Sequence, residues 1–238
     1  MIKFIKQAFI KPNWYNLRNL EPISRLFGFD RGTPIDRVYI EDFLYKNKEY
    51  IKGVVGEIGD DTYAKKFGSN ITKIEVLHYT PDNPKATIIG DLTDYKTLKE
   101  NILDCFILTQ TLNFIYDFKS AIAGIHYMLR KGGVALVTVA GISQISRYDM
   151  DRWGDYWKFT DLSIKKAFDE VFGPENVEVE TYGNVLTATA FLHGISAEEL
   201  TKQEIFYKDK DYQVTIAIKA GKNEDSFERY YKTSISLH

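Results

Sequence analysis

The sequence predicts an α/β protein with a doubly wound, seven-stranded and mostly parallel sheet and a helical N-terminal cap. Short apolar runs alternate with segments of helical periodicity, which is typical of a parallel sheet covered by helices on both faces. One apolar run, Val54–Ile58, contains Glu57 and is followed by Gly59, as expected for a buried strand that enters a tight turn. Ligands of open α/β sheets bind at such strand ends.

Each element follows from a local pattern. Thr33-Pro34-Ile35-Asp36 is typical of a helix start, with a Thr cap and Pro at the first position, and this helix is expected to run to about Tyr50. A second helix is predicted over Asp117–Leu129 and is stopped by Lys131-Gly132-Gly133. A third opens at Thr160 and ends before Gly173. The predicted strands are Val54–Ile58, Lys73–His78, Ala86–Ile89, Cys105–Thr109, Val134–Val139, Val177–Thr181 and Tyr212–Ile218.

The chain is expected to form one domain with short extensions. Residues 1–30 are predicted to be a loosely organised arm, residues 31–220 the domain, and residues 221–238 a tail. A helical insertion is expected within residues 184–205, before the last strand.

Composition excludes several classes of protein. The 238 residues carry a formal net charge of −2, which offers no electrostatic footprint for nucleic acid or an anionic membrane. No apolar run reaches the length of a membrane span, and the N-terminus has no signal-peptide pattern, so a cytoplasmic, soluble protein is expected. Cys105 is expected to be a buried, reduced thiol, His126 a surface or interfacial residue, and His193 a helix-end residue. No metal site is predicted.

The turn after the first strand limits the ligand. Neither G-x-G-x-x-G nor G-x-x-x-x-G-K-[ST] occurs, which argues against a pyrophosphate and against a nicotinamide-dependent oxidoreductase. A carboxylate at this position suits a ligand whose hydroxyls or amine must be held. S-adenosylmethionine (SAM) is such a ligand.

Several ordered motifs resemble those of class I SAM-dependent methyltransferases, over about residues 30–220. They are Glu57-Ile58-Gly59, Gly90-Asp91-Leu92, Asp104 at the start of the fourth strand, and Leu129-Arg130-Lys131-Gly132-Gly133. The segments Phe29–Arg37 and Arg147–Trp157 also resemble a bacterial subgroup found beside, or fused to, glycosyltransferases in surface-polysaccharide gene clusters.

The resemblance implies a cofactor site at the strand ends. Glu57 and Gly59 would hold the methionine end of SAM, Asp91 would accept from the adenine amino group beside the Leu92 backbone, and Thr109 and Gln110 would lie under the methionine moiety.

Two departures from the family pattern concern this cofactor site. Asp60, Asp61 and Tyr63 replace further glycines, where they would crowd the cofactor or contact its ammonium group. His78 replaces the acid expected at the ribose, and a neutral imidazole cannot accept from both hydroxyls as a carboxylate does.

The segment Arg147–Trp157 follows the fifth strand and is predicted to bind the acceptor, because aromatic faces stack on sugars and carboxylate–arginine pairs grip hydroxyls or phosphates. Its alternative interpretation is a structural loop. The candidate catalytic residues are Asp149, Asp151 and Arg147, and the candidate substrate-binding residues are Tyr148, Arg152, Trp153, Tyr156 and Trp157.

The first predicted helix supplies further candidates. Arg37 is expected to reach the cofactor carboxylate, while Asp36 and Tyr39, three residues apart, would face the acceptor from a lid formed by residues 31–39. The alternative is a capped surface helix.

The predicted activity is SAM-dependent O-methylation of a sugar, a nucleotide-linked glycan precursor or a phosphate-type oxygen. A non-catalytic SAM-fold module that scaffolds glycan-synthesis enzymes is the alternative. The resemblance also implies association with glycosyltransferases. A homodimer is a further expectation, and membrane insertion and nucleic-acid binding are not expected.

Overall fold

The computed structural model describes residues 18–223, and the remaining parts of the predicted arm and tail, residues 1–17 and 224–238, lie outside the described residues. The strands are β1 (Gly53–Ile58), β2 (Ile71–His78), β3 (Ile88–Ile89), β4 (Leu103–Thr109), β5 (Leu129–Ala140), β6 (Val177–Tyr182) and β7 (Thr215–Gly221). The α-helices of the described residues are α1 (Ile35–Lys46), α2 (Thr62–Phe67), α3 (Phe118–Met128), α4 (Arg147–Met150), α5 (Asp161–Phe172), α6 (Val185–His193) and α7 (Lys202–Phe206).

The strands form one seven-stranded sheet in the order β3-β2-β1-β4-β5-β7-β6, which confirms the predicted fold class. Strands β1 to β5 pair in parallel, and β7 runs antiparallel to both of its neighbours. The chain leaves β1 for β2 and β3 on one side and returns to β4 on the other. The carboxyl ends of β1 and β4 therefore border the switch point of the sheet, where ligands of open α/β sheets bind.

Helices cover both faces of the sheet because its central strands alternate between two apolar clusters. Along β4, Phe106 and Leu108 pack in the cluster that contains residues of α3 and α5. Cys105 and Ile107 point the opposite way, into the cluster built with residues of α1 and α6. This period of two fixes which strand side chains are buried against which helices. Cys105 is fully buried, as predicted, and burial raises the pKa of its thiol.

Strand β5 begins five residues earlier than predicted, and Gly132-Gly133 does not end the helix. Helix α3 ends at Met128, and the chain enters β5 at once. Gly132, at φ +77°, donates its N–H to the carbonyl of Lys222, and the Lys222 N–H donates to Gly133. Pairing with the chain that follows β7 therefore holds these glycines in the strand.

The start of α1 also differs from the prediction. Pro34 is the N-cap residue and makes no side-chain cap, and α1 ends at Lys46, before a separate 3₁₀ turn at Lys48–Tyr50. The Thr33 hydroxyl donates instead to Glu198 at 2.6 Å. A partner 165 residues away thus takes the hydroxyl that would otherwise cap the helix.

His126 is buried where α3 meets α5, so the surface alternative of its prediction is wrong and the interfacial alternative is confirmed. Only 2% of the residue is exposed, and its ring meets the edge of Phe172 at 5.0 Å. Burial lowers the pKa of this imidazole to about 4. The position faces the layer of α5, which the periodicity of α3 alone does not reveal.

The predicted insertion is helical. It comprises α6, a 3₁₀ turn at Ala197–Glu199, and α7. Asn184 caps α6 by accepting from the amides of Leu186 and Thr187, and His193 is the last helical residue, as predicted. No helix within residues 18–223 is long and apolar enough to cross a membrane.

Candidate functional site

A cavity of about 440 Å³ lies at the carboxyl ends of β1, β4 and β5. The turn after β1 and the ends of the two other strands form its inner side, and the start of α1 and the segment after β5 complete it. Among the described residues that line it are five carboxyl side chains and two cationic ones, namely Asp36, Glu57, Asp60, Asp149, Asp155, Arg37 and Lys158. The cavity thus has an excess of acidic groups.

Glu57 holds the turn between β1 and α2. Its two carboxylate oxygens accept from the backbone amides of Tyr63 at 3.0 Å and Ala64 at 2.8 Å. Burial raises the pKa of this carboxyl to about 7, although the two amides oppose the shift. Gly59 has φ +78°, a backbone conformation that favours glycine. Its carbonyl accepts a hydrogen bond from the Asn83 side chain. Glu57 therefore shapes the turn with both oxygens engaged.

Asp60, Asp61 and Tyr63, which replace the expected glycines, do not fill the cavity. Asp60 and Tyr63 line it, whereas Asp61 forms an ion pair with Lys65 at 2.5 Å. Asp60 accepts from the amide of Thr62 at 2.9 Å, which fixes the turn locally. The carboxylate of Asp60 stands beside Glu57 and contributes to the raised pKa of that residue.

Asp36 and Arg37 enter the cavity from the first turn of α1. Desolvation at the cavity wall raises the pKa of Asp36 to about 6, against the opposing effect of the Arg37 amide, which donates to it at 2.8 Å. The Arg37 guanidinium lies over the Phe29 ring at 5.1 Å, and Phe29 also lines the cavity. The structure thus brings Asp36 and Arg37 together at the cavity, and their contacts with a ligand stay a prediction.

Tyr39, expected beside Asp36, lies in the core. It is fully buried, its hydroxyl donates to the Ile205 carbonyl at 2.8 Å, and its ring stacks on Tyr182 at 5.2 Å. The expectation that Tyr39 faces the acceptor is corrected, because α7 and β6 cover this face of α1.

The end of β4 supplies amide and hydroxyl groups. Thr109 and Gln110 line the cavity, and Gln110 adopts φ +49°. Its side-chain carbonyl accepts from Asn113 at 3.0 Å, while Asn113 accepts from the Ala140 amide at 3.2 Å. Asn113 thereby ties the ends of β4 and β5 together inside the cavity. Sequence reasoning missed Asn113, which carries no motif.

The segment after β5 contributes a second acidic pair. The Ser146 hydroxyl donates to Asp149 at 2.5 Å, and the Ser146 amide donates to Asp155 at 3.0 Å. Lys158 pairs with Asp155 at 2.5 Å, and the Asp155 side chain is 1% exposed. Ser146 and Lys158 were also missed. The spacing of Ser146 and Asp149, typical of a helix cap, was the available signal for Ser146.

The remaining polar candidates of this segment face outwards. Arg147 and Asp151 form an exposed pair at 3.4 Å, and the Arg152 guanidinium lies 3.5 Å from the centre of the Tyr148 ring. None of these four is among the described residues that line the cavity. Of the three candidate catalytic residues, the structure therefore places only Asp149 in the cavity.

The aromatic candidates also lie outside the cavity lining. Trp157 donates from its indole N–H to the Tyr116 carbonyl at 3.1 Å and packs against Phe118. Tyr156 meets Tyr116 edge-on at 5.4 Å. Trp153 contacts the rings of His78 and Tyr79.

The residues predicted to bind the adenine and the ribose, Asp91, Leu92 and His78, are not among the described residues that line the cavity. Asp91 accepts from the amide and the hydroxyl of Thr93, both at 2.8 Å, in a local turn. Leu92 is 5% exposed, and its carbonyl lies so close to Gly124 that a side chain there would clash. His78 stands at the end of β2, next to Gly59, whose amide donates to Leu77 at 3.0 Å.

No family model and no curated protein matches the chain. Solved structures do match. The N-methyltransferase NodS from Bradyrhizobium japonicum WM9, in complex with S-adenosyl-L-homocysteine (SAH), is 12% identical, with 86% of this chain and 95% of that chain covered and a TM-score of 0.50. The [4+2]-cyclase SpnF is 14% identical, with 81% and 84% covered and a TM-score of 0.51. The strand order, the helices on both faces and these similarities show that the chain has the Rossmann-like methyltransferase fold.

Proposed function

We propose that the protein transfers the methyl group of SAM to a hydroxyl of a small polar acceptor. The observation that carries this proposal is the acidic cavity, which joins the Glu57–Gly59 turn to Asp36 on one side and Asp149 on the other. Its position at the switch point of a methyltransferase-type sheet supports the choice of cofactor. The volume of about 440 Å³ is within the usual range for a small-molecule site.

The groups present suit SAM, which supplies an electrophilic methyl on a sulfonium. The sulfonium and the ammonium group of SAM complement the carboxylates of the cavity. Arg37 is the cation placed to pair with the carboxylate of SAM. Asp60, Thr109 and Gln110 would bind the methionine portion together with the Gly59 backbone. Glu57 would act through the turn, since its oxygens are already engaged by two amides.

Asp36 is the general base in this proposal. A carboxyl with a pKa near 6 is largely ionised at neutral pH and is still basic enough to accept a proton from a hydroxyl. Asp149, held by Ser146, would orient the acceptor through a hydrogen bond. Methyl transfer is an in-line displacement, so alignment of the acceptor supplies much of the rate.

The charge of the cavity favours a hydroxyl over a phosphate-type acceptor. Lys158 is already paired with Asp155, so among the described lining residues Arg37 is the cation without an ion-pair partner. A phosphate oxygen at the methyl-accepting position, beside several carboxylates, would be repelled. A protonated amine is the second candidate acceptor, because the same carboxylates attract it.

Identification of the acceptor as a sugar or nucleotide-linked glycan precursor rests on the resemblance of Phe29–Arg37 and Arg147–Trp157 to the glycosyltransferase-associated subgroup. A role in surface-glycan synthesis, association with glycosyltransferases, a cytoplasmic location and a homodimer belong to the same proposal. We also retain residues 31–220 as the catalytic domain.

The test is a methyl-transfer assay with SAM and separate panels of nucleotide sugars, free sugars, sugar phosphates and amines. Release of SAH and a methylated hydroxyl in the product, located by mass spectrometry and NMR, are expected with a sugar-type acceptor. Asp149→Asn should lower turnover, and Asp151→Asn, whose parent side chain is exposed outside the cavity, is the matched control. Methylation of amines alone would identify the second candidate. SAH binding without turnover of any acceptor class would favour the scaffold alternative.

A further inference from the structure

Trp153 follows β5 in sequence but contacts the end of β2. In the sheet, β4 and β1 lie between these two strands. The indole meets the His78 ring at 6.2 Å and the Tyr79 ring at 6.1 Å, nearly perpendicular to both. The segment after β5 therefore crosses the carboxyl edge of the sheet, from the Asp149 side of the cavity to the far side of β1.

The backbone holds Trp153 in this position. The carbonyl of Asp149 accepts from the amides of Arg152, Trp153 and Gly154, at 3.1, 2.7 and 3.1 Å. Gly154 has φ +93°, and a side chain there would collide with the Tyr156 ring. The turn is thus compact, and Asp149, which lines the cavity, fixes its position through these three hydrogen bonds.

The three rings lie outside the cavity lining, and His78 is joined to that lining through the neighbouring residue Leu77. Gly59, which lines the cavity, is bonded through its amide to Leu77, the residue before His78. The Nδ1 atom of His78 lies 2.8 Å from the Thr80 carbonyl and 3.3 Å from the Thr80 amide, and the shorter contact is a hydrogen bond when Nδ1 carries the proton. In the neutral ring Nε2 is then an acceptor, and it has no hydrogen-bond partner among residues 18–223. Trp153 itself remains 37% exposed.

We propose that Trp153, His78 and Tyr79 bind the nucleoside portion of the cofactor. This inference rests on the proposed function and changes the predicted role of Trp153 from acceptor binding to cofactor binding. His78 Nε2 accepts from one ribose hydroxyl, and the exposed indole supplies an aromatic surface for the purine. A carboxylate accepts from both ribose hydroxyls, whereas a neutral imidazole accepts from one. Stacking of the purine on the indole offsets the lost hydrogen bond. One segment thereby contacts both ends of the site, with Trp153 at the nucleoside and Asp149 at the acceptor.

The test compares two ligands by calorimetry. SAH contains both the nucleoside and the amino-acid portion, whereas 5′-methylthioadenosine lacks the amino-acid portion. Trp153→Ala should weaken both ligands by a similar factor, on the order of tenfold for loss of one base-stacking partner. Trp153→Phe should restore most of the affinity. Tyr148→Ala is the matched control, because Tyr148 is an exposed aromatic residue of the same segment that contacts Arg152 instead.

Fluorescence gives a second measurement that does not depend on turnover. The chain has three tryptophans, so the double substitution Trp14→Phe, Trp157→Phe leaves Trp153 as the single indole emitter. Its emission should change on addition of 5′-methylthioadenosine and saturate at the calorimetric affinity.

The outcomes separate the two proposals. Wild-type protein that binds neither ligand contradicts the proposed function itself. Wild-type protein that binds SAH, with Trp153→Ala equally tight for both ligands, overturns only the assignment of Trp153. Weakened SAH binding with unchanged 5′-methylthioadenosine binding also overturns it, because the indole would then act at the amino-acid or acceptor end.

Discussion

The Glu57 carboxylate accepts a hydrogen bond from the backbone amide of Ala64 at 2.8 Å, which ties the end of β1 to the first turn of α2. The Tyr63 amide donates to the other oxygen. The acid that the family resemblance associates with the cofactor is thus a structural clamp on the turn that the cofactor would contact.

Glu57→Ala is expected to destabilise the fold and weaken SAH binding together. Loss of the carboxylate leaves two buried amides without an acceptor, which costs roughly 2–4 kcal/mol in the free energy of unfolding. Urea denaturation and calorimetry check the two effects. Glu57→Gln, which keeps one carbonyl acceptor, should recover part of both. A variant of wild-type stability that loses only SAH affinity would contradict the clamp.

The contribution of Glu57 to the free energy of unfolding should fall as the pH rises from about 4.5 to about 7. Burial raises the pKa of Glu57 in the folded protein to about 7 from its usual 4.5, so the folded state binds this proton more tightly than the unfolded state. The stabilisation from protonated Glu57 is fully present below pH 4.5 and is lost towards pH 7. The free energy of unfolding falls by at most about 3 kcal/mol through this group. Denaturation of Glu57→Gln over this pH range should show a flatter dependence than wild type. Parallel curves for the two proteins would refute the assignment.

Asp36→Asn should abolish the acidic limb of the pH–rate profile. The pKa of Asp36 is raised to about 6, so wild-type turnover is expected to decline as the pH falls below 6 and the base becomes protonated. Removal of a general base lowers turnover by roughly a hundredfold or more. SAH affinity, measured by calorimetry, should change little. A variant with wild-type turnover and the same profile would exclude Asp36 as the base.

Lys222→Met should destabilise the end of α3. The buried ammonium donates to the side chain of Asn101 at 2.8 Å and to the carbonyls of His126 and Leu129 at 2.9 and 2.8 Å. Burial lowers the pKa of this lysine, but three acceptors stabilise its position. Substitution leaves these acceptors without their donor, at a cost of about 1–3 kcal/mol. The exposed Lys166→Met on α5 is the control for thermal denaturation, and equal melting temperatures would contradict this role.

Ligand binding is expected to slow hydrogen exchange across residues 25–45. Phe27, Phe29, Asp36 and Arg37 line the cavity, and the Arg31–Glu199 pair at 2.6 Å joins this segment to the turn after α6. A lid over the cofactor gains protection when SAH binds, because closure excludes water from the site. Arg31→Ala should exchange faster without ligand. Unchanged protection at saturating SAH, together with full activity of Arg37→Ala, would show that α1 is a structural helix without a lid function.

Local patterns in the sequence were sufficient for the fold class. Within β4, the run Cys105–Leu108 is apolar because both faces of a parallel strand are covered, and its composition alone marks it as part of a buried strand. The apolar run of β1 also predicts that Glu57 and Gly59 lie at the strand end, because the chain turns where such a run stops. The signal is weaker at edges, and β3 shrinks to Ile88–Ile89, because pairing with β2 on one side alone supports it.

Long-range contacts decided what local patterns could not. Tyr39 and Asp36 share a face of α1, yet α7 buries the first, while the second reaches the cavity. Asn113 is held in the site by the Ala140 amide at the end of β5, and Trp153 reaches β2 across two intervening strands. The sequence by itself determined the number of strands and their order along the chain, the main helices and the strand-end acid, because these depend on periodicity along one segment, whereas the bounds of β3, β5 and β7 differ from the predicted ones. Only the tertiary structure decided which side chains meet in the cavity, because that depends on the order in which the strands pair.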